Sequence, residues 1–329
     1  MKLRYCQLRF KTPLHLGERE GWLEGSQIYV RSDTLYSAIC HGFRLLYGEE
    51  GLKPILPSTD SPGCPLLISS TFPWRGENLY LPIPKDQFSP GDKLLKKALF
   101  AGISDWNKLI NGIIMDSNMD LLVPSNQEKL PWKIYDVPRV GLSRNNLTPE
   151  DRFFYQSLVE YEENAGLYFF YQWDNSDSDL ETRFRAVMRL LADEGIGGDR
   201  SSGKGWMEMP QFKEADIAVP QAADGMILLS LYHPLPGEYN LLGNGFYELI
   251  ERKGYIYSPE GCSLQKRAVR MFTEGSVFPC QSSNLTGGIV DVTPEAFSSH
   301  RVFKYGKAFS IPYWLNQKGR SLCSNENQD

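Results

Sequence analysis

No two of the six cysteines form a C-x-x-C pair, so nothing in the chain supports a zinc ribbon. They stand at positions 6, 40, 64, 262, 280 and 323 and read as reduced thiols of a cytoplasmic protein. The patterns G-x-S-x-G and H-E-x-x-H are absent, which removes two hydrolase chemistries. Histidine is scarce, with four copies, and a metal-independent ribonuclease needs an acid and a base at the 2′-hydroxyl and the leaving oxygen. No apolar run approaches ~18 residues, and the opening MKLRYCQLRF has no signal-peptide apolar region, so no membrane contact is expected. A basic excess is also missing. The net charge is -5, so any nucleic-acid binding must rest on locally gathered cations.

What is present suits a packed protein. Hydrophobic residues make up 41% of the 329 and charged residues 23%, enough for one large domain or two modest ones. Aromatics reach 12%, enough to furnish base-stacking surfaces. The first residues alternate as a strand, and SDTLYSAICHGFRLLYG reads as a helix. Ser32 or Asp33 is its expected cap, and Leu35, Ile39, Phe43 and Leu46 are its apolar stripe. Proline and glycine punctuate residues 50–90 around the strand-like LLISSTFPW and LYLPIP. Residues 91–135 are polar and loop-rich and read as a projecting insertion. GLYFFYQW is a strand, and LETRFRAVMRLLADEG is a helix with a Ser178/Glu181 capping box, ended by Gly195. A strand follows near GWMEMPQF. The second half restarts near residue 224 with strands in GMILLSLYHP, GYIYS, AVRMFTEGSVFP and RVFKYGKAFSIPYW. KRAVRMF fits a strand or a short helix equally well. The organisation is α+β, with two related domains of ferredoxin-like (RRM-like) type.

The most unusual stretch is GIGGDRSSGKGW, residues 195–206. It fails as an ATP loop: Gly198, Gly203 and Lys204 fit G-x-x-x-x-G-K-[ST], but Gly205 replaces the hydroxyl that would hold magnesium. It also follows a helix C-terminus, whose partial negative charge disfavours a triphosphate. A dinucleotide fingerprint starting at Gly195 would need glycine where Arg200 stands. A tight helix-to-strand turn explains one or two of the glycines. The interleaved Arg200, Ser201, Ser202 and Lys204 point instead to a concavity of amides and cations that grips a phosphate backbone. Asp199 fits this picture least; pairing with Arg200 or capping the turn are its two readings. His15, after the first strand, is the best acid–base candidate, against a structural or RNA-contacting role. The run DNSDSD fails the calcium-loop pattern, because Thr182 stands where glycine is required, and no metal is expected.

The glycine loop after a helix resembles that of the RAMP superfamily, the RNA-binding subunits of CRISPR interference complexes. LHLGEREGWLEGSQIYVRSDTLYSAICHGF, VPRVGLSRNNLTPEDRFFYQSLVEYEENAGLYFFY, EGSVF and HRVFKYGKAFSIP carry the same likeness. The last two resemble the branch that caps the crRNA 5′ end in type III-A complexes. The resemblance implies two ferredoxin-like domains, 1–222 and 223–329, facing across a cleft, with a thumb insertion at about 76–135. Some members of that superfamily cut RNA, but with the hydrolase motifs missing and no evident acid or lysine partner for His233 and His300, no catalysis and no cofactor are expected. The partners implied by the resemblance are the crRNA 5′ handle, the large polymerase-like subunit, the adjacent RAMP backbone subunit and, near the thumb, target RNA. Carried over by position, Gly197, Gly198, Arg200, Ser201, Ser202, Gly203, Lys204 and Gly205 would line handle phosphates. Arg139, Arg144 and Asn145 would add a second set of contacts, and His15 would lie with them. Phe153, Phe154 and Tyr155 are candidate base stackers, with core packing as the competing reading. The alternatives are a crRNA-processing endoribonuclease of the same superfamily, or the equivalent subunit of a III-B complex.

Overall fold

The computed structural model describes residues 1–17, 25–57, 64–87, 93–113, 119–140, 153–173, 178–258, 264–279 and 285–315. Strand β1 (Lys2–Leu8) is central, and neighbours on both sides bury it from Tyr5 to Leu8. Helix α1 (Ser32–Leu52) buries Leu35, Tyr36, Ile39 and Phe43 along one stripe. The expected side-chain cap is not formed. The Ser32 hydroxyl accepts the Leu231 amide (3.0 Å), and Asp33 accepts from Arg252 and Lys304. Charge-assisted bonds to buried cations outweigh a local cap.

Strands β2 (Leu66–Ile68) and β3 (Phe72–Arg75) both pair with one strand of the GLYFFYQW segment, at different heights. Between them Ser70 turns its amide to Leu229 of the second half (2.8 Å). Then come β4 (Asn78–Pro82), α2 (Lys93–Lys97), β5 (Phe100–Gly102), α3 (Ile103–Ile110) and β6 (Leu121–Leu122). Hairpin β7 (Trp132–Val140) and β8 (Phe153–Tyr161), strand β9 (Ala165–Trp173), helix α4 (Ser178–Glu194) and β10 (Gln211–Asp216) complete the first half. The large antiparallel sheet runs β10-β1-β9-β3-β4-β5-β6. Helix α4 packs on α1 and buries Phe184, Val187, Met188 and Leu191. Truncating a buried Phe such as Phe184 costs about 3–5 kcal/mol.

The described strands of 76–131 lie in the main sheet and do not project from it as expected. β4, β5 and β6 extend the main sheet. Helix α3 buries Trp106, Leu109 and Ile110, an i, i+3, i+4 stripe, and Trp106 donates to the Pro82 carbonyl (2.9 Å). Polar flanks masked that stripe in the sequence. The element outside the main sheet is the β7–β8 hairpin, a two-stranded ribbon anchored by the Leu14–Val159 bridge.

The second half contains β11 (Gly225–Leu228), β12 (Leu249–Arg252), β13 (Val269–Phe272), β14 (Val277–Pro279), β15 (Gly287–Asp291), β16 (Phe303–Lys307) and β17 (Ser310–Tyr313). Among the described residues it has no α-helix, so a second helix-bearing ferredoxin-like unit is not assembled there. KRAVRMF resolves as strand: Val269 and Met271 point inward and Arg270 outward. GYIYS does not form a named strand, and Tyr255 pairs with Gln265 in an isolated bridge. The halves share one core, in which Phe309 stacks on Phe170 (6.0 Å) and Tyr305 lies against Tyr36 (4.8 Å).

A polar seam crosses the same junction. Arg252 donates to both Asp33 oxygens (2.9 and 3.0 Å), and Lys304 adds a third bond (2.8 Å). Burial alone would raise the Asp33 carboxyl, but Arg252 and Lys304 override it and hold it well below the usual carboxylate range. Nearby, the buried Glu274 receives Arg31 and Ser70. Asp33→Ala leaves two buried cations without their counter-charge, and urea unfolding at pH 7 should show a loss of about 3–5 kcal/mol. In the wild type the Asp33 contribution is complete above the unfolded carboxyl value, ~3.9, and disappears as pH falls through the lower folded value. An unchanged unfolding midpoint in the variant contradicts the seam's role.

Candidate nucleic-acid interface

Helix α4 ends where the Gly195 amide bonds back to the Leu191 carbonyl (2.9 Å). The loop then folds onto the segment after β1. Gly198 donates to the His15 carbonyl (2.8 Å), Gly205 to Pro13 (3.0 Å), and Trp206 to the Thr12 hydroxyl (2.9 Å). Ile196 donates to the Gly205 carbonyl, closing the loop's neck (3.2 Å). Arg200–Ser202 form one 3₁₀ turn, with Ser202 and Lys204 both donating to the Asp199 carbonyl (2.9 and 3.3 Å). Two glycines are required by close approach as well as by positive φ. A Cβ on Gly197 (φ 100°) would sit 2.5 Å from the His15 carbonyl oxygen, and one on Gly205 (φ 72°) 2.1 Å from that of Ile196.

These bonds correct one part of the sequence reading. The amides of Gly198, Ser202, Gly203, Lys204 and Gly205 donate to protein carbonyls, so they are not aimed at a ligand. The glycines shape the loop, and the side chains of Arg200, Ser201, Ser202 and Lys204 present its chemistry. Ser201 and Ser202 are exposed. Among the described residues no carboxylate lies within ion-pair distance of Arg200 or Lys204.

Asp199 neither pairs with Arg200 nor caps the turn with its side chain. It takes a left-handed backbone (φ 55°) and accepts from Gln156 of β8 (2.8 Å), with Arg139 of β7 at 3.6 Å. Arg139 in turn donates to the Gln156 side chain (3.1 Å). The triangle latches the loop to the hairpin and brings Arg139 beside it. His15 is buried, and its Nδ1–H donates to the Ser157 carbonyl (2.9 Å). It sits between loop and hairpin as a spacer. Arg144 and Asn145 lie outside the described residues. Of the aromatic run, Phe153 and Tyr155 are 53% and 46% exposed and meet edge to face at 5.2 Å, so core packing is excluded for both.

The loop also walls a cleft of about 790 Å³ between α1 and the second half. Its lining holds seven Lys or Arg side chains and a single acid, Glu49, on a chain whose net charge is -5. Arg31, Arg252, Lys266 and Arg301 were not found by reading the sequence, because no local spacing links them to residues 195–206. Tyr257, 72% exposed, lies at the mouth with Arg200 over its ring (5.4 Å) and His41 against its edge (5.4 Å). Burial, with Arg200 nearby, lowers the His41 pKa. The arrangement offers cations for phosphates and an aromatic face for a splayed base.

The family model for the CRISPR Csm4 C-terminal domain matches residues 221–313. A relative from Methanocaldococcus jannaschii, the CRISPR system Cms protein Csm4, is 24% identical over 95% of this chain and 98% of its own length. The protein of that name from Thermococcus onnurineus is 27% identical over 85% and 90%. A chain in the crystal structure of the Csm3–Csm4 subcomplex of the type III-A CRISPR–Cas interference complex shares the fold, with a TM-score of 0.67 at 19% identity over 95% and 99%. A chain in the Csm1–Csm4 cassette in complex with cA4 gives 0.63 at 21% over 96% and 99%. The RAMP superfamily model matches residues 7–208, more than half of the chain and the whole span from β1 through the glycine loop; the chain belongs to the RAMP superfamily.

Proposed function

We propose that the chain is the Csm4 subunit of a type III-A CRISPR complex and that it holds the crRNA 5′ handle without cutting it. The observation that carries the RNA-holding role is the Asp199–Gln156–Arg139 latch. It fixes the cationic loop, the hairpin and the mouth of a basic cleft as one surface. Whole-length similarity to relatives named Csm4 supports the subunit assignment. The solved Csm1–Csm4 and Csm3–Csm4 complexes support docking onto a large subunit on one side and a backbone subunit on the other.

Within this reading the strand order β10-β1-β9-β3, with α1 and α4 as crossovers, supports a ferredoxin-like unit for residues 1–222. In the same reading the second domain is 223–329, strand-rich over its described residues, and the gap between the two family matches, at 209–220, supports that boundary. The thumb moves to the β7–β8 hairpin, where exposed Ile134, Val140, Phe153 and Tyr155 suit contact with an RNA duplex near the target. His15 serves as a spacer, because its ring is buried and hydrogen-bonded to the backbone. That arrangement favours binding over the endoribonuclease alternative.

Arg200→Ala with Lys204→Ala should weaken single-stranded RNA binding. The slope of log affinity against log salt should become shallower by about 1.4, or ~0.7 per lost phosphate contact. An unchanged slope removes the loop from the interface. Asp199→Ala should loosen RNA binding several-fold while leaving the unfolding free energy within about 1 kcal/mol of wild type, because the ion pair is half-exposed. The pure chain incubated with repeat RNA should leave it intact, and cleavage abolished by His15→Ala would overturn the non-catalytic reading.

A further inference from the structure

The floor of the cleft carries a charge imbalance that the seam does not resolve. Asp33 is buried between Arg252 and Lys304, both nearly buried themselves. Lys266 lines the cleft beside them, held by its own amide donating to the Gly254 carbonyl (2.8 Å). Among the described residues no carboxylate lies within ion-pair distance of Lys266. One carboxylate therefore stands against three cations, and two of them, Arg252 and Lys266, line the cavity that also reaches Tyr257 and the glycine loop.

We propose that Lys266 and Arg252, with Lys304 buried behind them, form a second anion site, which takes one phosphate of the single-stranded RNA that the glycine loop holds at the cleft mouth. The site rests on the reading that RNA enters this cleft, and it adds a deep anchor to the peripheral one. An anion there supplies the counter-charge that Asp33 alone cannot.

Binding at this site is coupled to a proton. Burial first, then Lys304 and, least, Arg252 push the Lys266 ammonium down to about 8, with Asp33 opposing them. The other charged groups facing the cavity are Arg31, Arg44, Lys53, Arg200, Arg301 and Glu49, with His41 and His300. The lowered His41 is already neutral near pH 8. Near pH 8 the free protein holds about half a proton on Lys266, and a bound phosphate draws in the rest.

The test is calorimetric titration of the full chain with a 5′-hydroxyl single-stranded RNA of about eight nucleotides. It is run at pH 8 in two buffers of different ionisation enthalpy. Wild type should take up about half a proton per RNA bound. Lys266→Met should abolish the uptake and weaken binding by about 10- to 100-fold. Lys266→Arg should keep the affinity and still lose the uptake, which a folding defect does not produce. The Arg200→Ala, Lys204→Ala variant should bind more weakly with the uptake per RNA unchanged. Uptake and affinity that survive Lys266→Met overturn the deep site and leave the loop's role standing. Wild-type binding by both the Lys266 variants and the loop variant overturns the RNA reading as well. AMP or inorganic phosphate reproducing the full uptake at micromolar concentration would assign the site to a free nucleotide or ion and overturn its assignment to the strand.

Discussion

The buried carboxylate of Asp33 sets the geometry on which the cleft depends. It lies in the first turn of α1, and its two cationic partners come from β12 and β16. The three groups tie the helix of the first half to two strands of the second. The tie works beside the non-directional apolar packing around Phe170, Tyr305 and Phe309 and the directional bonds of Ser32, Ser70 and Glu274 across the same junction. Charge-assisted bonds add direction and hold the cleft walls at one separation. The seam also places excess positive charge on the cleft floor, in a protein that is acidic as a whole.

The glycine loop depends on the same economy of contacts. Most of its amides are bound to the Thr12–His15 segment or to one another, so the loop is a rigid shelf. Rigidity has a consequence for binding: Arg200 and Lys204 are presented without the entropy loss of ordering a mobile loop. Asp199 extends the shelf to the hairpin, where Arg139 and the exposed Phe153 and Tyr155 continue the surface. Cationic and exposed aromatic side chains thus lie along one surface, the combination on which the proposed single-stranded RNA binding rests.

Much of the first half was legible because its signals are local. The stripe of α4 and the Gly195 stop read directly, as did the aromatic strand β9. The glycine loop was legible as a special helix-to-strand connection, but the way its backbone is held was not. The partners that consume its amides lie some 190 residues upstream, at Thr12, Pro13 and His15. Ser32 and Asp33 look like caps locally, and only the fold brings up Leu231, Arg252 and Lys304. Trp106 and its neighbours were hidden by polar flanks. Tyr257 and Lys266 gave no signal at all, since an exposed tyrosine and a lone lysine acquire meaning only beside Arg200 and Arg252.

The central claim is that single-stranded RNA runs from the glycine loop past Tyr257 into the cleft. Photo-crosslinking of a 4-thiouridine-substituted RNA to the assembled complex, with adducts mapped by mass spectrometry, tests it most directly. The account predicts adducts on the peptides carrying Tyr257 and residues 195–206. Adducts confined to surfaces away from the cleft, with neither peptide labelled, would contradict it.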